Sequence, residues 1–393
     1  MNAGKGFQGT HTRSYPVGES VLRKAGMHWA AEDPIGSISR QLGAGPFTLI
    51  ILLVTPKADF QRIVDDAAKE FAGTDVMACT TAGEISSSGY DEEMILGIGF
   101  PADDFASRSI LFRDVGKLTP QDAVDRVTLA RVALQKDRPD LSYRFAFLAV
   151  DGLSLTEDTL AASLAPALMD MPLFGGSAGD GTDFRNTLVS LNGEIAENAA
   201  VLNLMLSRYR SKVFSLDHLE PTDNKMVVTD ADPAKRIVKT INAEPAAREY
   251  ARLVGKDPEQ LDKFTFAAHP VVVRIGNTHH VRAIQQINDA GEIVFFSAID
   301  EGMVLAVATP RNMAEHLAEK LEALADDSMP TDIFCCDCVL RRIEAEQCQL
   351  IRPMSDILKR HNVIGFSTYG EQIGALHVNQ TMSGVAFYRP VIE

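Results

Sequence analysis

The chain has 393 residues, of which 46% are hydrophobic and 23% are charged, and its formal net charge is −15. The length favours two or three domains, and the composition is that of a soluble globular protein. The acidic balance argues against nucleic acid and anionic membrane surfaces as partners, because both attract lysine and arginine.

The N-terminus and the cysteines indicate where the protein works. The first residues lack the apolar run of a secretory signal, and no apolar run in the sequence is long enough to span a membrane. The 5 cysteines are an odd number, so they cannot all pair within the chain. These features predict a cytoplasmic protein with reduced thiols that does not enter a membrane.

The first part of the chain predicts a strand–helix–strand order after a loose, polar start within residues 1–30. The continuous apolar run at 47–54 is typical of a strand covered on both faces. Pro56 is predicted to open a helix, whose apolar residues recur at helical spacing from Phe60 to Phe71. Further strands are expected at 76–79, 94–100 and 107–115.

A second segment repeats this order. Pro166 must kink or shorten its helix. The dipeptide Asn192-Gly193 predicts a tight hairpin between the strands on either side of it. The predicted elements are a strand at 145–150, a helix at 155–169, and strands at 188–191 and 199–206.

The polar, proline-containing stretch at 217–223 predicts a domain boundary near residue 220. Beyond it, Asp230 and Pro233 are typical of a helix start, so a helix is expected through Ile241. The remaining predicted elements are helices at 245–253 and from Pro310 through Leu324, strands at 271–275, 281–286, 293–298, 304–308 and 333–340, and a helix with Met354, Ile357, Leu358 and His361 on one face.

Three turns of similar sequence follow three of these strand–helix pairs. Turn 1 (78–84) ends in Thr81-Ala82-Gly83-Glu84, turn 2 (175–180) in Ser177-Ala178-Gly179-Asp180, and turn 3 (365–371) in Thr368-Tyr369-Gly370-Glu371. The separation between strand and turn is nearly the same each time, which favours a repeated architecture. The sequence therefore predicts an α/β fold with mixed sheets, built from repeated strand–helix–strand–hairpin units in two domains at 1–220 and 221–393.

The turns do not have the sequence of a phosphate-binding loop. Turn 2 lacks the lysine of a P-loop, and the acid that ends each turn would repel an anion. The three turns have two interpretations. Either their glycines only permit tight turns between strands, or the turns line a binding pocket. An enzyme is not expected, since Cys79 has no base near it in the sequence and no Gly-x-Ser-x-Gly motif occurs.

Two histidines are candidate cofactor ligands, and each has a structural alternative. His361 lies one turn beyond Ile357 on an apolar helix face, where a hydrogen-bonded core histidine is the ordinary interpretation. His377 lies in a strand-like stretch directly after turn 3, where hydrogen bonding across a sheet is the alternative.

The three turns and their surroundings resemble the FIST family, a bacterial sensory module with FIST-N and FIST-C regions. The resemblance covers roughly residues 40–390 and implies intracellular sensing of a small ligand without catalysis. It rests on Cys79-Thr80-Thr81-Ala82-Gly83-Glu84-Ile85, on Phe174-Gly175-Gly176-Ser177-Ala178-Gly179-Asp180, and on Ile364-Gly365-Phe366-Ser367-Thr368-Tyr369-Gly370-Glu371-Gln372 followed by His377-Val378-Asn379-Gln380-Thr381.

The sequence shows no kinase, cyclase or methyl-accepting segment, and in this it resembles the stand-alone, NosP-type nitric oxide sensors of the family. That resemblance implies haem b, nitric oxide as the ligand, and a histidine kinase or cyclic-di-GMP enzyme as the partner. We expect His377 to hold the haem iron, with His361 as the second choice, because His377 lies in the most motif-dense part of the chain. Tyr369 and Thr368 are the expected polar groups of the pocket.

A haem-free sensor for an amino acid or similar metabolite is the alternative. In that case the threonines and acids of the turns would bind ammonium and carboxylate groups. The sequence leaves open the oligomeric state, a homo-oligomer included, and the direction of signalling.

Overall fold

Three α/β units with the same order of strands and helices follow one another in the chain. The computed structural model describes residues 20–275 and 278–389, so the loose start predicted within residues 1–30 lies, for residues 1–19, outside the described part. Unit 1 consists of β1 (Arg23–His28), α1 (Pro34–Leu42), β2 (Phe47–Val54), α2 (Phe60–Glu70), β3 (Asp75–Thr80), β4 (Glu84–Ser86), β5 (Gly89–Asp91) and β6 (Met94–Pro101).

Unit 2 repeats this order with a longer connection after turn 2. It consists of β7 (Phe105–Phe112), α3 (Pro120–Asp137), β8 (Tyr143–Val150), α4 (Glu157–Leu168), β9 (Leu173–Ser177), β10 (Val189–Leu191), β11 (Glu194–Ala196) and β12 (Ala200–Ser207).

Unit 3 is interrupted after its first strand, β13 (Arg210–Leu216), by residues 219–310, which we call the insert. The insert contains β14 (Leu219–Asp232), β15 (Ile237–Ile241), β16 (Glu244–Pro245), α5 (Ala246–Val254), α6 (Lys263–Ala268), β17 (Val271–Ile275), β18 (Thr278–Arg282), β19 (Ile284–Ile287), β20 (Ile293–Phe295) and β21 (Val304–Pro310). Unit 3 resumes with α7 (Met313–Glu322), β22 (Asp332–Cys338), α8 (Val339–Gln347), α9 (Ile351–Arg360), β23 (Val363–Thr368), β24 (Glu371–Ile373), β25 (Leu376–Val378) and β26 (Met382–Tyr388).

Local sequence explains the repeated elements. The β2 strand pairs with β3 and β6 at its edges, and its almost entirely apolar residues are buried on both faces. One face packs against α1 and α2, and the other packs in the core shared with the other units. The α2 helix begins where the Asp59 side chain accepts a hydrogen bond from the Arg62 N–H, and it buries the face that carries Ile63 and Ala67.

The units exchange their hairpins. In each unit the central strand pairs in parallel with the strand that enters the turn, and the hairpin after the turn joins the sheet of another unit. The hairpin of unit 1 pairs with β23, that of unit 2 with β3, and that of unit 3 with β9. Each six-stranded sheet therefore contains strands from two units, and the three sheets form one cyclic arrangement.

Aromatic side chains fill the space between these sheets. The rings of Phe147 and Phe334 lie 4.8 Å apart, and those of Phe145 and Phe387 lie 5.5 Å apart. Since these residues come from different units, burial of the rings ties the units together. The insert has its own eight-stranded sheet and a separate apolar core that includes Val238, Tyr250 and Phe295.

The predicted fold class is confirmed, as are most of the predicted strands. Strand pairs connect residues on both sides of position 220, for example β13 with β26. The division into domains at 1–220 and 221–393 stays a prediction.

Two local predictions are wrong. The segment 230–241 is not a helix: β14 extends to Asp232, one 3₁₀ turn follows at Pro233–Lys235, and β15 begins at Ile237. Asp232 caps that single turn, and the β-branched residues of β15 favour a strand. The Asn192-Gly193 turn joins β10 to β11 rather than to β12, which instead pairs with β7 and β8.

Candidate functional site

The three turns meet at one place, which we call the hub. Hydrogen bonds between backbone groups link each turn to the next, so the repeated sequence builds a closed ring. The donor N–H and acceptor carbonyl pairs are Ala82 to Ser367 at 2.9 Å, Tyr369 to Ser177 at 3.1 Å, and Gly179 to Thr80 at 3.2 Å.

Turn 1 holds a buried carboxyl group. The Thr81 hydroxyl donates a hydrogen bond to one oxygen of Glu84, and the Met94 N–H donates to the other at 3.1 Å. Burial raises the pKa of Glu84 to about 7, although these hydrogen bonds oppose the increase. Glu84 is therefore partly protonated near neutral pH and can both donate and accept a hydrogen bond.

Turn 3 repeats this arrangement. The Thr368 hydroxyl donates to Glu371 at 2.5 Å, and the Thr381 hydroxyl donates to the second carboxyl oxygen at 2.6 Å. Burial raises the pKa of Glu371 to about 8. Thr368 lies at the hub, where its hydroxyl is engaged by the acid three residues later; its predicted role as a polar group of a ligand pocket stays a prediction.

Turn 2 holds its acid differently. The Tyr369 hydroxyl donates to Asp180, and the N–H groups of Phe184, Arg185 and Asn186 donate to the same carboxylate. Burial raises the pKa of Asp180, but these hydrogen bonds outweigh it and the net pKa is lowered. Asp180 is therefore ionised, and it fixes the loop that follows turn 2.

A cavity of about 900 Å³ opens beside the hub. Its wall is formed by turn 1, the loop before α2 and the start of that helix, the loop after turn 2, and α8. The lining groups that can bind a polar ligand include Lys57, Glu84, Glu92, Asp180 and Arg342. We call this space the hub cavity.

Arg342 closes one side of the hub cavity. Its guanidinium donates to the Asp91 carbonyl at 2.9 Å and to Glu92 at 2.8 Å. The same group packs on Gly83, where a Cβ atom would lie 2.0 Å from Nη1. Gly83 has φ +132, a backbone conformation that favours glycine, and a larger residue would also displace the end of the Arg342 side chain.

His377 lies at turn 3 but does not line the hub cavity. It is 1% exposed, and Gln372 Nε2 lies 3.2 Å from its Nδ1. Its Nε2 has no hydrogen-bond partner within the described residues. That atom faces Gly370 and Asn379, and a Cβ at Gly370 would lie 2.8 Å from it. Burial lowers the pKa of His377, so its imidazole is neutral.

The structure brings three of the four predicted site residues together. Tyr369 and Thr368 are consecutive at the hub, and His377 follows in the paired strand β25. His361 ends α9 at the far end of β23 and is buried there, and burial lowers its pKa. The Tyr369 ring stacks on Phe184 with centroids 4.2 Å apart.

The insert covers the region around His377. Arg282 of the insert donates to the His377 carbonyl at 3.0 Å, and Arg236 donates to Glu157 at the start of α4 at 2.5 Å. A third contact runs from the Ala298 N–H to Asp158 at 3.2 Å. We call this covered region, between α4, β25 and the insert, the closed cleft.

The sequence did not predict the two arginines near the turns, and it predicted no binding role for the turn acids in a haem site. The acids of the turns were visible in the repeats but were interpreted as groups that repel anions, because their burial cannot be read from the turn itself. Arg342 and Arg282 carry no motif. Among the described residues, no three His, Cys, Asp or Glu side chains lie close enough together to hold a metal ion.

Two family models match the chain. The FIST N domain model matches residues 48–244, and the FIST C domain model matches residues 246–374. A comparison with curated proteins finds no match. In residues 20–275 and 278–389, none of the helices has the length and apolar character needed to cross a membrane.

Proposed function

The chain belongs to the FIST family, and we propose that it is a signalling protein that senses a small ligand bound in the hub cavity. FIST domains are ligand-sensing modules without catalytic activity. The observation that carries the proposal is the position of the hub cavity, where turn 1, the loop after turn 2 and α8 meet. A ligand there would contact all three units: turn 1 and the start of α2 in unit 1, the loop after turn 2 in unit 2, and α8 in unit 3.

The cavity wall suits a ligand that carries both an amino and a carboxylate group. Lys57 and Arg342 supply positive charge, and Asp180 and Glu92 supply negative charge. Arg342 and Glu92 bond each other, and Asp180 is held by its own loop. Lys57 is therefore the charge among these four that has no partner within the described residues. The buried Glu84 adds a carboxyl group that can donate or accept a hydrogen bond. An amino acid or a related metabolite is therefore the ligand class that we favour.

Binding can be tested with the 20 common amino acids by thermal unfolding and titration calorimetry. We expect at least one to raise the unfolding midpoint, and Lys57→Met to weaken its binding about tenfold or more through loss of a charged hydrogen-bond donor. Lys69→Met is the matched control, since Lys69 is an exposed lysine in the last turn of α2, the helix after the Lys57 loop, and does not line the cavity. Equal affinity in both variants contradicts the proposed site.

Haem b with nitric oxide as its signal is the second candidate. It is supported by His377 Nε2, which has no hydrogen-bond partner among the described residues. Ligation of iron would require this nitrogen to lose its proton and Nδ1 to carry it, so the Gln372 amide would have to turn its oxygen toward Nδ1. In the present conformation Nε2 faces Gly370 and Asn379, so turn 3 must open before a haem can reach it. Bound haem would supply an iron atom that takes up nitric oxide.

Absorption spectra separate the two candidates. A sharp Soret band that shifts with nitric oxide supports haem, and its loss in His377→Ala but not in His361→Ala supports His377 as the ligand. A protein that stays colourless after haem supplementation contradicts this candidate. For either ligand, we propose that the signal passes in the cytoplasm to a partner histidine kinase or cyclic-di-GMP enzyme.

A further inference from the structure

The closed cleft contains a buried arginine without an ion-pair partner. Arg282 is 3% exposed, and its Nη1 donates to the carbonyls of Val281 and His377. No carboxylate of the described residues lies within ion-pair distance of it, and its Nε has no hydrogen-bond partner there. A buried guanidinium normally has a counter-ion, because an uncompensated buried charge costs several kcal/mol, on the order of 3 or more.

The acids that act on Arg282 are Asp158 and Asp300, and neither forms an ion pair with it in the described part of the chain. Asp300 is exposed, and the acids at the start of α4 are engaged by other groups. Glu157 accepts a hydrogen bond from Arg236, and Asp158 accepts one from the Ala298 N–H and lies 3.5 Å from Arg236. In these contacts Arg236 compensates the negative charge of Glu157 and Asp158, and the insert is held over the closed cleft. They leave the charge of Arg282 without a bonded acid.

Two more donors in the closed cleft lack acceptors. Gln372 donates to His377 Nδ1, so the proton of the neutral ring is on Nε2. That Nε2 and Asn379 Nδ2 each lie 2.8 Å from the position that a Cβ of Gly370 would take, so the two nitrogens are close together. Neither has a partner in the part of the chain that the structure describes.

We propose that the closed cleft is a second binding site, which takes a small carboxylate beneath the insert. The two oxygens of a carboxylate would accept hydrogen bonds from Arg282 Nε, His377 Nε2 and Asn379 Nδ2, and its charge would compensate that of Arg282. A water molecule would satisfy the donors but would leave the guanidinium without a counter-ion. The site is separate from the hub cavity, which His377 does not line.

The probe is sodium formate, and the readout is the thermal unfolding midpoint of the full chain. Sodium concentration is kept constant with a bulky sulfonate as the balancing anion. We expect formate to raise the midpoint in a saturable way and sodium chloride to have a much smaller effect. No effect of formate, or an equal effect of chloride, contradicts a carboxylate site.

Three variants test whether the effect of formate on the unfolding midpoint arises in the closed cleft. Asn379→Ala keeps both hydrogen bonds of Arg282 to backbone carbonyls and should weaken formate binding roughly 10- to 100-fold, the loss of one hydrogen bond to a charged group. Arg282→Met should abolish the increase, whatever its effect on the midpoint without formate. Arg248→Met, at an exposed position of α5 in the same insert, is the matched control and should respond to formate like the unchanged protein.

A crystal structure with formate completes the test, and planar density between Arg282 and His377 is the expected result. Water alone at that place overturns the proposal. Lys57→Met should leave the formate response unchanged, so failure of this proposal and failure of the hub-cavity proposal are distinguishable.

Discussion

Turn 1 and turn 3 hold a carboxyl group in the same way, yet one borders an open cavity and the other lies in a closed interior. In both, a threonine three residues earlier donates to the glutamate, and the preceding glycine has a positive φ. The side chain that packs on this glycine differs. Arg342 lies against Gly83, whereas His377 and Asn379 lie against Gly370.

This difference shows that the repeated motif fixes the carboxyl group but not its access to a ligand. The elements that pack against each turn come from other parts of the chain. Helix α8 packs against turn 1, and the hairpin of unit 3 together with the insert packs against turn 3. Four sets of substitutions can test this difference. Three change matching residues of turn 1 and turn 3, and one changes Tyr369, which connects turn 3 to the loop that lines the hub cavity.

Alanine at the two glycines should have the largest effect, with Gly370→Ala costing more than Gly83→Ala. A Cβ at Gly370 would lie 2.4 Å from the His377 ring, which is fixed in the interior, whereas at Gly83 it would meet the end of the Arg342 side chain. We expect Gly370→Ala to lower the free energy of unfolding by about 2–6 kcal/mol, from overpacking and backbone strain together. Urea denaturation measures the difference.

Gly181→Ala is the control for this pair, because Gly181 has φ +76 but no atom within 4 Å of its Cβ position. It reports the backbone cost alone, about 1–2 kcal/mol. Equal losses in Gly370→Ala and Gly181→Ala would show that the contact with His377 is not tight.

The two glutamates should make stability fall as pH rises. Each has a folded-state pKa above its ordinary value of 4.5, so the folded protein keeps a proton that the unfolded chain has lost. The stabilisation is present below pH 4.5 and is lost as pH rises to about 7 for Glu84 and about 8 for Glu371. At about 1.36 kcal/mol per pKa unit, the loss is on the order of 3 kcal/mol for Glu84 and 5 kcal/mol for Glu371.

Glu371→Gln and Glu84→Gln replace the protonated carboxyl with a neutral amide of the same shape. Each should flatten the fall in the free energy of unfolding between pH 5 and 8, and Glu371→Gln should flatten it more. Urea denaturation at several pH values measures this. An unchanged slope in both variants would mean that the carboxyl groups are ionised throughout that range.

Tyr369→Phe should loosen the loop after turn 2, which lines the hub cavity. The Tyr369 hydroxyl donates to Asp180 and accepts from the N–H groups of Asp180 and Phe184. We expect a loss of about 2 kcal/mol in the free energy of unfolding, and faster amide exchange at residues 181–186. Retained protection of these amides would show that the backbone bonds of Asp180 are sufficient.

Valine at the two threonines should have the smallest effect, about 1 kcal/mol for each loss of a hydrogen bond. Thr81→Val and Thr368→Val remove the donor to Glu84 and Glu371 and keep the volume. Both carboxyl groups should then titrate at higher pH, because this hydrogen bond lowers their pKa. Infrared titration of the carboxyl bands checks the direction, and a downward shift contradicts it.

Much of the fold could be predicted because apolar runs and helical periodicity report burial locally. The strands at 47–54 and 145–150 lie close to their predicted bounds, and the helix expected from Pro56 begins four residues later, at Phe60. The failures occurred where a local signal competes with pairing. Asp230 and Pro233 look like a helix start, but β14 and β15 pair with each other across them.

The sequence by itself determined the three turns, their glycines and the threonine–glutamate pairs, since these depend on residues only a few positions apart. The tertiary structure decided which unit receives each hairpin, which turn opens to a cavity and which is covered. Those contacts join residues far apart in the chain, as with Tyr369 and Asp180, 189 positions apart. Burial, charge compensation and access to a ligand follow from such contacts, and no local pattern records them.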